Sequence, residues 1–215
     1  MAYFINFTEL NSPEIQERLS NIPKCPGTCF FIDVVNSTGI KHNNSIEYWG
    51  RILNNTFNFI SILKDLSSNI IKGIGDEIMV YIPDKEMAKH TLYNDYFSIL
   101  WDLFYTIENL KNIPLKDDFL TCKAGIHYCE DAYNITFLKD VNDYYGKDID
   151  LTARLMSKTK ANRIVVSEVF YKKIRQEYEN TYKGFHDKVF KKISEKYIED
   201  FKGFPYSTEF RVIDV

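Results

Sequence analysis

Four cysteines, at positions 25, 29, 122 and 129, are the whole complement of this 215-residue chain, and no two have the C-x-x-C spacing that makes a structural zinc site persuasive. They read as reduced, buried thiols, which excludes a disulfide scaffold. No apolar run approaches the roughly 20 residues that a membrane span requires, and no cationic leader precedes an apolar stretch at the N-terminus. A cytoplasmic protein without a membrane partner is expected. A surplus of positive charge is also missing: 27 Lys and Arg are set against 30 Asp and Glu, for a net charge of -3. With the two signs mixed along the chain there is no broad field for nucleic-acid phosphates, and nucleic acid is not an expected partner. Six prolines and nine glycines are too few for a linker or a low-complexity tract.

What is present is apolar and aromatic: 45% hydrophobic residues and 15% aromatic residues, enough for a substantial core in one domain. Ser12-Pro13-Glu14 reads as the capped start of a short helix over 12–20, with Ser12 as N-cap and Pro13 in the first turn. A strand follows at about 28–35. Ile46, Trp49, Leu53, Phe57, Ile60 and Leu63 recur every three or four residues and mark one buried helix face between Asn44 and about Leu66. Residues 69–82 read as a hairpin ended by Pro83, and a long helix is expected at about 86–110. A strand at 119–128, a helix at 147–158, a strand at 163–166 and a helix from Ser167 come next. The alternation in Glu209–Ile213 is that of a half-buried antiparallel edge. The order strand, helix, hairpin, helix, strand is an α+β arrangement, a ferredoxin-like β-α-β-β-α-β core with appended αβ elements.

Two acids stand out in that order. Asp33 ends the apolar run Cys29-Phe30-Phe31-Ile32 and is followed by Asn36, Ser37 and Thr38, where hydroxyls could cap the next helix. Asp76 follows Gly73 and Gly75 at the hairpin reversal. If the two segments pair, both carboxylates converge where a pair of divalent cations could bind. Glu77 reads as a hairpin charge and His127 as a structural histidine without a clustered partner. The four-residue spacing of Asp150 and Arg154 puts them on one helix face, where a plain intrahelical ion pair is the alternative to a site.

The segment Phe31-Ile32-Asp33-Val34-Val35-Asn36-Ser37-Thr38 and the segment Lys72-Gly73-Ile74-Gly75-Asp76 resemble the two metal-aspartate motifs of the class III nucleotide cyclases, the adenylate and guanylate cyclase family. Ala124-Gly125-Ile126-His127, Asp143-Tyr144-Tyr145-Gly146, Ile149-Asp150-Leu151-Thr152-Ala153-Arg154-Leu155 and Phe201-Lys202-Gly203-Phe204-Pro205 follow in the family's order. The resemblance implies a catalytic domain over 27–215 in the class III nucleotide cyclase fold, preceded by an N-terminal helical extension over 1–26. It implies a metal set of Asp33, Val34 and Asp76 for two ions, Mg²⁺ or Mn²⁺, and phosphate contacts at Asn36, Ser37 and Thr38. Lys72 and Asp143 take the base-reading positions, and Asp150 and Arg154 the transition-state positions. The last two would come from a partner subunit, so a homodimer is implied. The reaction is conversion of a nucleoside triphosphate to its 3′,5′-cyclic monophosphate and pyrophosphate. At Asp150 the family usually has asparagine, whose amide donates a hydrogen bond that an ionised aspartate cannot.

A donor at Lys72 and an acceptor at Asp143 match the ring nitrogen and exocyclic amine of adenine or cytosine. A pyrimidine would need a bulky side chain in the space a purine fills, for which Tyr48, Tyr144 and Tyr145 are candidates. The wording around Asp33 and Asp76 is similar to the pyrimidine cyclases of bacterial Pycsar anti-phage systems, which would imply cyclic CMP or cyclic UMP sensed by a separate effector protein. The competing readings are an adenylate cyclase, a nucleotide-binding homologue without turnover, and an RNA-binding ferredoxin-like module, which lacks its basic face here.

Overall fold

The computed structural model describes residues 3–4, 13–62, 69–87, 95–113, 118–138, 141–184 and 186–215. Ser12, read as a helix cap, lies outside the described residues; the helix it was to cap, α1, spans Pro13–Ser20. The N-terminal segment is not helical alone, because a two-residue strand β1 (Tyr3–Phe4) pairs in parallel with β6 (Ile135–Thr136).

Strand β2 (Gly27–Val34) is apolar on both faces, and every residue in it is buried except Asp33. A strand read as one continuous apolar run belongs in the middle of a covered sheet, which is where β2 lies. The chain then forms a short helix α2 (Ser37–Asn43) before the long α3 (Ile46–Ile62). Asn44 separates them by taking extended backbone, φ -137° and ψ 161°. Strands β3 (Ile70–Ile74) and β4 (Glu77–Pro83) make the expected hairpin, with Gly75 at φ +68° in the left-handed region that favours glycine.

The single helix expected at 86–110 is corrected to two pieces, α4 (Asp84–Met87) and α5 (Tyr96–Asn112). The start of α5 is fixed by Asp95, whose carboxylate accepts the Ser98 N–H at 2.7 Å as an N-cap. After β5 (Cys122–Cys129) come α6 (Lys147–Ser157), β7 (Arg163–Ser167) and α7 (Glu168–Glu177), the last capped by Ser167. A π turn at Tyr178–Tyr182, a one-turn helix α8 (Asp187–Phe190) and strands β8 (Tyr197–Glu199) and β9 (Thr208–Asp214) complete the chain.

The main sheet runs β3-β4-β2-β5-β7-β9-β8. Its first four strands have the ferredoxin-like order, and all pairs are antiparallel except β5 with β7. The terminal strand β9 is antiparallel and half-buried as expected, but it is not the edge: β8 hydrogen-bonds along its outer side. Three-residue β8 was too short to register as a period-two pattern.

Two apolar layers sandwich the sheet. Phe30, Ile32 and Val34 face the larger cluster, with Ile52 and Ile60 of α3, Leu100 and Phe104 of α5, and Phe170 and Ile174 of α7. Cys29 and Phe31 face the other side, with Met79, Tyr81, Cys129 and the α6 residues Ile149 and Met156. Helix α6 lies directly on β5 at Gly125, where a Cβ would stand 2.5 Å from the Met156 nitrogen. All four cysteines are free and buried. Among the described residues no helix is long and apolar enough to cross a membrane.

Candidate active site

The register of the central strands places three charged residues side by side. Asp33 on β2 stands opposite Glu77 on β4 and opposite Lys123 on β5. The Lys123 ammonium lies 3.1 Å from Asp33 Oδ2. Asp76, in the β3–β4 turn, comes to the end of the same strand: its carbonyl accepts the Val34 N–H at 3.2 Å, and its Oδ2 accepts a hydrogen bond from the Ser37 hydroxyl. Asp33, Val34, Asn36, Ser37, Thr38, Asp76 and Lys123 line one cavity of about 380 Å³, with Thr159, Lys160 and Ala161 on its far wall. The turn into α2 is made by Asn36 in the left-handed conformation, φ 63°. Ser37 and Thr38 open that helix, so their N–H groups have no intrahelical acceptor.

Negative charge is in excess here. Burial, and after it the carboxylates of Asp33 and Asp76, push the Glu77 carboxyl up to about 7. The Lys123 ammonium offsets the charge of Asp33, and the Ser37 hydroxyl gives Asp76 a hydrogen bond without offsetting its charge. That donor set, hard oxygens with surplus negative charge, fits Mg²⁺ or Mn²⁺. Val34 has only its backbone carbonyl to add. Among the described residues no cluster of three or more His, Cys, Asp or Glu side chains gathers to hold a metal. A cation held here would therefore draw its remaining ligands from substrate phosphates and water, the usual manner of Mg²⁺.

A second constellation lies at β3 and the loop before α6. Lys72 Nζ is 2.9 Å from Asp143 Oδ1 and 2.8 Å from Oδ2. Asp143 is only 5% exposed, so the pair is an anchored feature and not a solvated one. Its Oδ1 also accepts the Tyr144 N–H at 2.8 Å. Tyr145 presents its ring 5.2 Å from the Lys72 ammonium, within cation–π range. Tyr144 turns the other way and stacks on Tyr81 with centroids 4.1 Å apart, which makes it a core residue. Tyr48 is half-exposed on α3 with its ring 5.8 Å from the Arg51 guanidinium, and the protomer does not bring it to the Lys72–Asp143 pair.

Asp150 and Arg154 are exposed on α6 and line a third region, a cavity of about 540 Å³ shared with Lys147, Lys202, Phe204 and Tyr206. The intrahelical Asp150–Arg154 ion pair weighed above does not form. None of the residues lining this cavity lines the one at Asp33 and Asp76. Sequence reasoning missed Lys123 and left Lys202 without a role. The position of Lys123 opposite Asp33 follows from strand register, which one strand read alone does not disclose.

His127 was read as partnerless and is not: its Nδ1 lies 2.7 Å from Ser167 Oγ and its Nε2 3.9 Å from Asp148 Oδ1.

The amino-acid sequence matches the family model of the adenylate and guanylate cyclase catalytic domain over residues 23–195, and the chain belongs to that family. It is thus a nucleotide cyclase catalytic domain with a mixed α+β fold. Among solved structures it is similar to the guanylyl cyclase Cya2, at 17% identity and a TM-score of 0.69, over 89% of this chain and 93% of that one. It is also similar to the adenylyl cyclase CyaB from P. aeruginosa, at 19% identity and a TM-score of 0.63, over 89% of this chain and 95% of that one. A third likeness is to an adenylate cyclase from Trypanosoma brucei in its monomeric state, at 13% identity and a TM-score of 0.65, over 89% and 88% of the two chains. At these identities the likenesses show the fold. A comparison with curated protein sequences found no match.

Proposed function

We propose that this cyclase acts on a pyrimidine nucleoside triphosphate, CTP or UTP, at two sites shared across a homodimer, and releases the 3′,5′-cyclic monophosphate and pyrophosphate. The observation that carries the shared-site reading is the separation of the two cavities: the carboxylates and the arginine needed for one reaction face different spaces in one chain. A second copy would supply Asp150 and Arg154 to the cavity that holds Asp33 and Asp76.

Asp33, the Val34 carbonyl and Asp76 would hold two divalent cations, which when bound supply a lowered pKa at the ribose 3′-hydroxyl and charge neutralisation at the leaving pyrophosphate. The chain's own groups do the rest. As Asp33 turns to a cation, the Lys123 ammonium beside it becomes free to meet a phosphate. Asn36, Ser37 and Thr38 line the same cavity, and the free N–H groups of Ser37 and Thr38 would offer further donors to the phosphates. Arg154 places its guanidinium against charge that grows in the transition state, a contribution on the order of 10³ or more in rate.

Base choice rests on Lys72, Asp143 and Tyr145. Two of the three ammonium hydrogens of Lys72 are directed at Asp143, which leaves one donor. Asp143 receives those two, the Tyr144 N–H and the Tyr145 hydroxyl, so it offers an acceptor to a base when one of these donors turns away. One donor beside one acceptor complements cytosine or adenine. The Tyr145 ring against Lys72 narrows the space beside them and supports the smaller base. CTP satisfies both arguments; UTP requires the base to bind away from Lys72. The likeness of the Asp33 and Asp76 segments to Pycsar pyrimidine cyclases supports a role in bacterial antiviral signalling, with the product read by a separate effector protein.

Tyr145→Ala tests the pyrimidine reading. Removing the ring is expected to shift the ratio of kcat/KM for ATP over CTP upward by at least tenfold, and an unchanged ratio removes Tyr145 from base selection. An adenylate cyclase is the second reading, favoured by the same donor and acceptor.

A further inference from the structure

Asp148 is the second residue of α6, yet its carboxylate does not serve its own helix. Its Oδ2 accepts the backbone N–H groups of Glu130 at 2.9 Å and Asp131 at 2.7 Å, in the turn that leaves β5. Its Oδ1 faces His127 Nε2 at 3.9 Å, and His127 Nδ1 lies 2.7 Å from the Ser167 hydroxyl. Ser167 in turn caps α7 by accepting the Phe170 N–H at 3.2 Å. The row Ser167, His127, Asp148 has the order of a hydrolytic triad, but Ser167 is 1% exposed and His127 4% exposed, so no substrate reaches it. Its role is mechanical.

Asp150 and Arg154 leave α6 on the face turned away from this row. Residues 150 and 154 are exposed, whereas Ile149, Thr152, Leu155 and Met156 are buried against the sheet. The helix is held along that whole inner face, and its start is also tied to the β5 turn by the Lys147–Asp131 ion pair at 3.0 Å. Near its end, Met156 lies on Gly125 with no room for a Cβ. At its start, Asp148 is tied to the β5 turn and to His127. With the Asp148 tie removed, the start of α6 could shift about the Met156–Gly125 contact and carry Arg154 with it.

We propose that Asp148, backed by His127 and Ser167, is a positioning residue that sets the angle of α6 and hence the placement of Asp150 and Arg154 in the site of the opposite subunit. The inference rests on the shared-site reading above. A carboxylate that takes two backbone N–H groups in a half-buried setting is a rigid tie. A misplacement near 1 Å in a group acting on the transition state costs about 10²-fold in rate. The Asp148→Ala homodimer is accordingly expected to lose about 10²-fold in kcat with KM little changed, the pattern of a contact made only in the transition state.

Half-site complementation tests this apart from general damage. Mixed with an Asp33→Ala chain, whose α6 is intact, the Asp148→Ala chain keeps its own metal half-site and regains activity. Mixed with an Arg154→Ala chain it does not, because both chains then fail in the same half. Rescue by the first partner and none by the second supports the proposal. Rescue by both, rescue by neither, or wild-type kcat in the Asp148→Ala homodimer overturns it. Asp148→Asn, which keeps an acceptor for the two N–H groups, is expected to retain kcat where Asp148→Ala loses it, and an equal loss in both overturns the tie; if Asp148→Ala does not fold, Asp148→Ser, too short to reach both N–H groups, is read with the same partners. The control mixture of Asp33→Ala with Arg154→Ala reports on the shared site itself: no activity there counts against the shared-site reading and not against the tie.

Discussion

Lys72 on β3 and Asp143 before α6 meet across 71 positions of sequence, the ammonium reaching both carboxylate oxygens at 2.9 and 2.8 Å. The pair joins the hairpin that carries Asp76 to the loop that leads into the Arg154 helix. In the proposed reading it serves stability and base choice together, and the two effects are separable by experiment.

Lys72→Met removes the ammonium from a carboxylate that is 5% exposed and leaves it the Tyr144 N–H and the Tyr145 hydroxyl. Leaving such a group short of a partner costs about 1–3 kcal/mol, to be read from urea unfolding. The same variant is expected to lose more in kcat/KM for CTP than in turnover at saturating substrate. Equal losses in both would place Lys72 outside base recognition.

Asp33→Ala and Asp76→Ala are each expected to abolish turnover while the chain stays folded. Both side chains line a cavity and lie outside the apolar core clusters, Asp33 paired with the Lys123 ammonium and Asp76 hydrogen-bonded by the Ser37 hydroxyl. Circular dichroism and turnover measured together check the pair of claims; activity in either variant contradicts the two-cation site.

Glu77 gives the metal-free protein a pH dependence with a definite sign. Its carboxyl is raised from 4.5 to about 7 in the fold, by burial first and then by Asp33 and Asp76. A raised pKa means that the folded state binds the proton more tightly. The associated stability is fully present below 4.5 and is lost as pH rises through about 7. Glu77→Gln is expected to lose less stability than the parent over that window. Urea midpoints for both proteins across the window measure the difference, and parallel curves would contradict it.

Most of the fold could be read from periodicity and turn chemistry. The apolar run before Asp33 announced a strand, and the two glycines before Asp76 announced the hairpin. The misses have physical causes. Extended Asn44 splits off α2 without any proline or glycine to signal it, and the single helix drawn over 86–110 overlooked Asp95 as an N-cap. Lys123 and the Asp148–His127 contact depend on which strands and helices become neighbours, which local sequence does not encode. Tyr144 and Tyr145 are adjacent and alike in sequence, and only the fold sends one into the core and leaves the other beside Lys72.

The shared-site reading gives a quantitative expectation. Asp76→Ala and Arg154→Ala chains are each inactive alone. Mixed in equal amounts, half the dimers are mixed and each holds one intact site of two, so about a quarter of wild-type activity should return. Turnover at increasing mixing times follows the exchange; a mixture that stays inactive contradicts sites shared across a two-fold interface.

The central claim is tested most directly by incubating the protein with ATP, GTP, CTP and UTP in separate reactions with Mn²⁺, beside an Asp33→Ala control, and identifying products by mass spectrometry. The account predicts a cyclic pyrimidine nucleotide and pyrophosphate from the wild-type chain and neither from the control. Cyclic AMP as the main product would contradict pyrimidine selection, and a cyclic product that persists in the Asp33→Ala control would contradict the site itself.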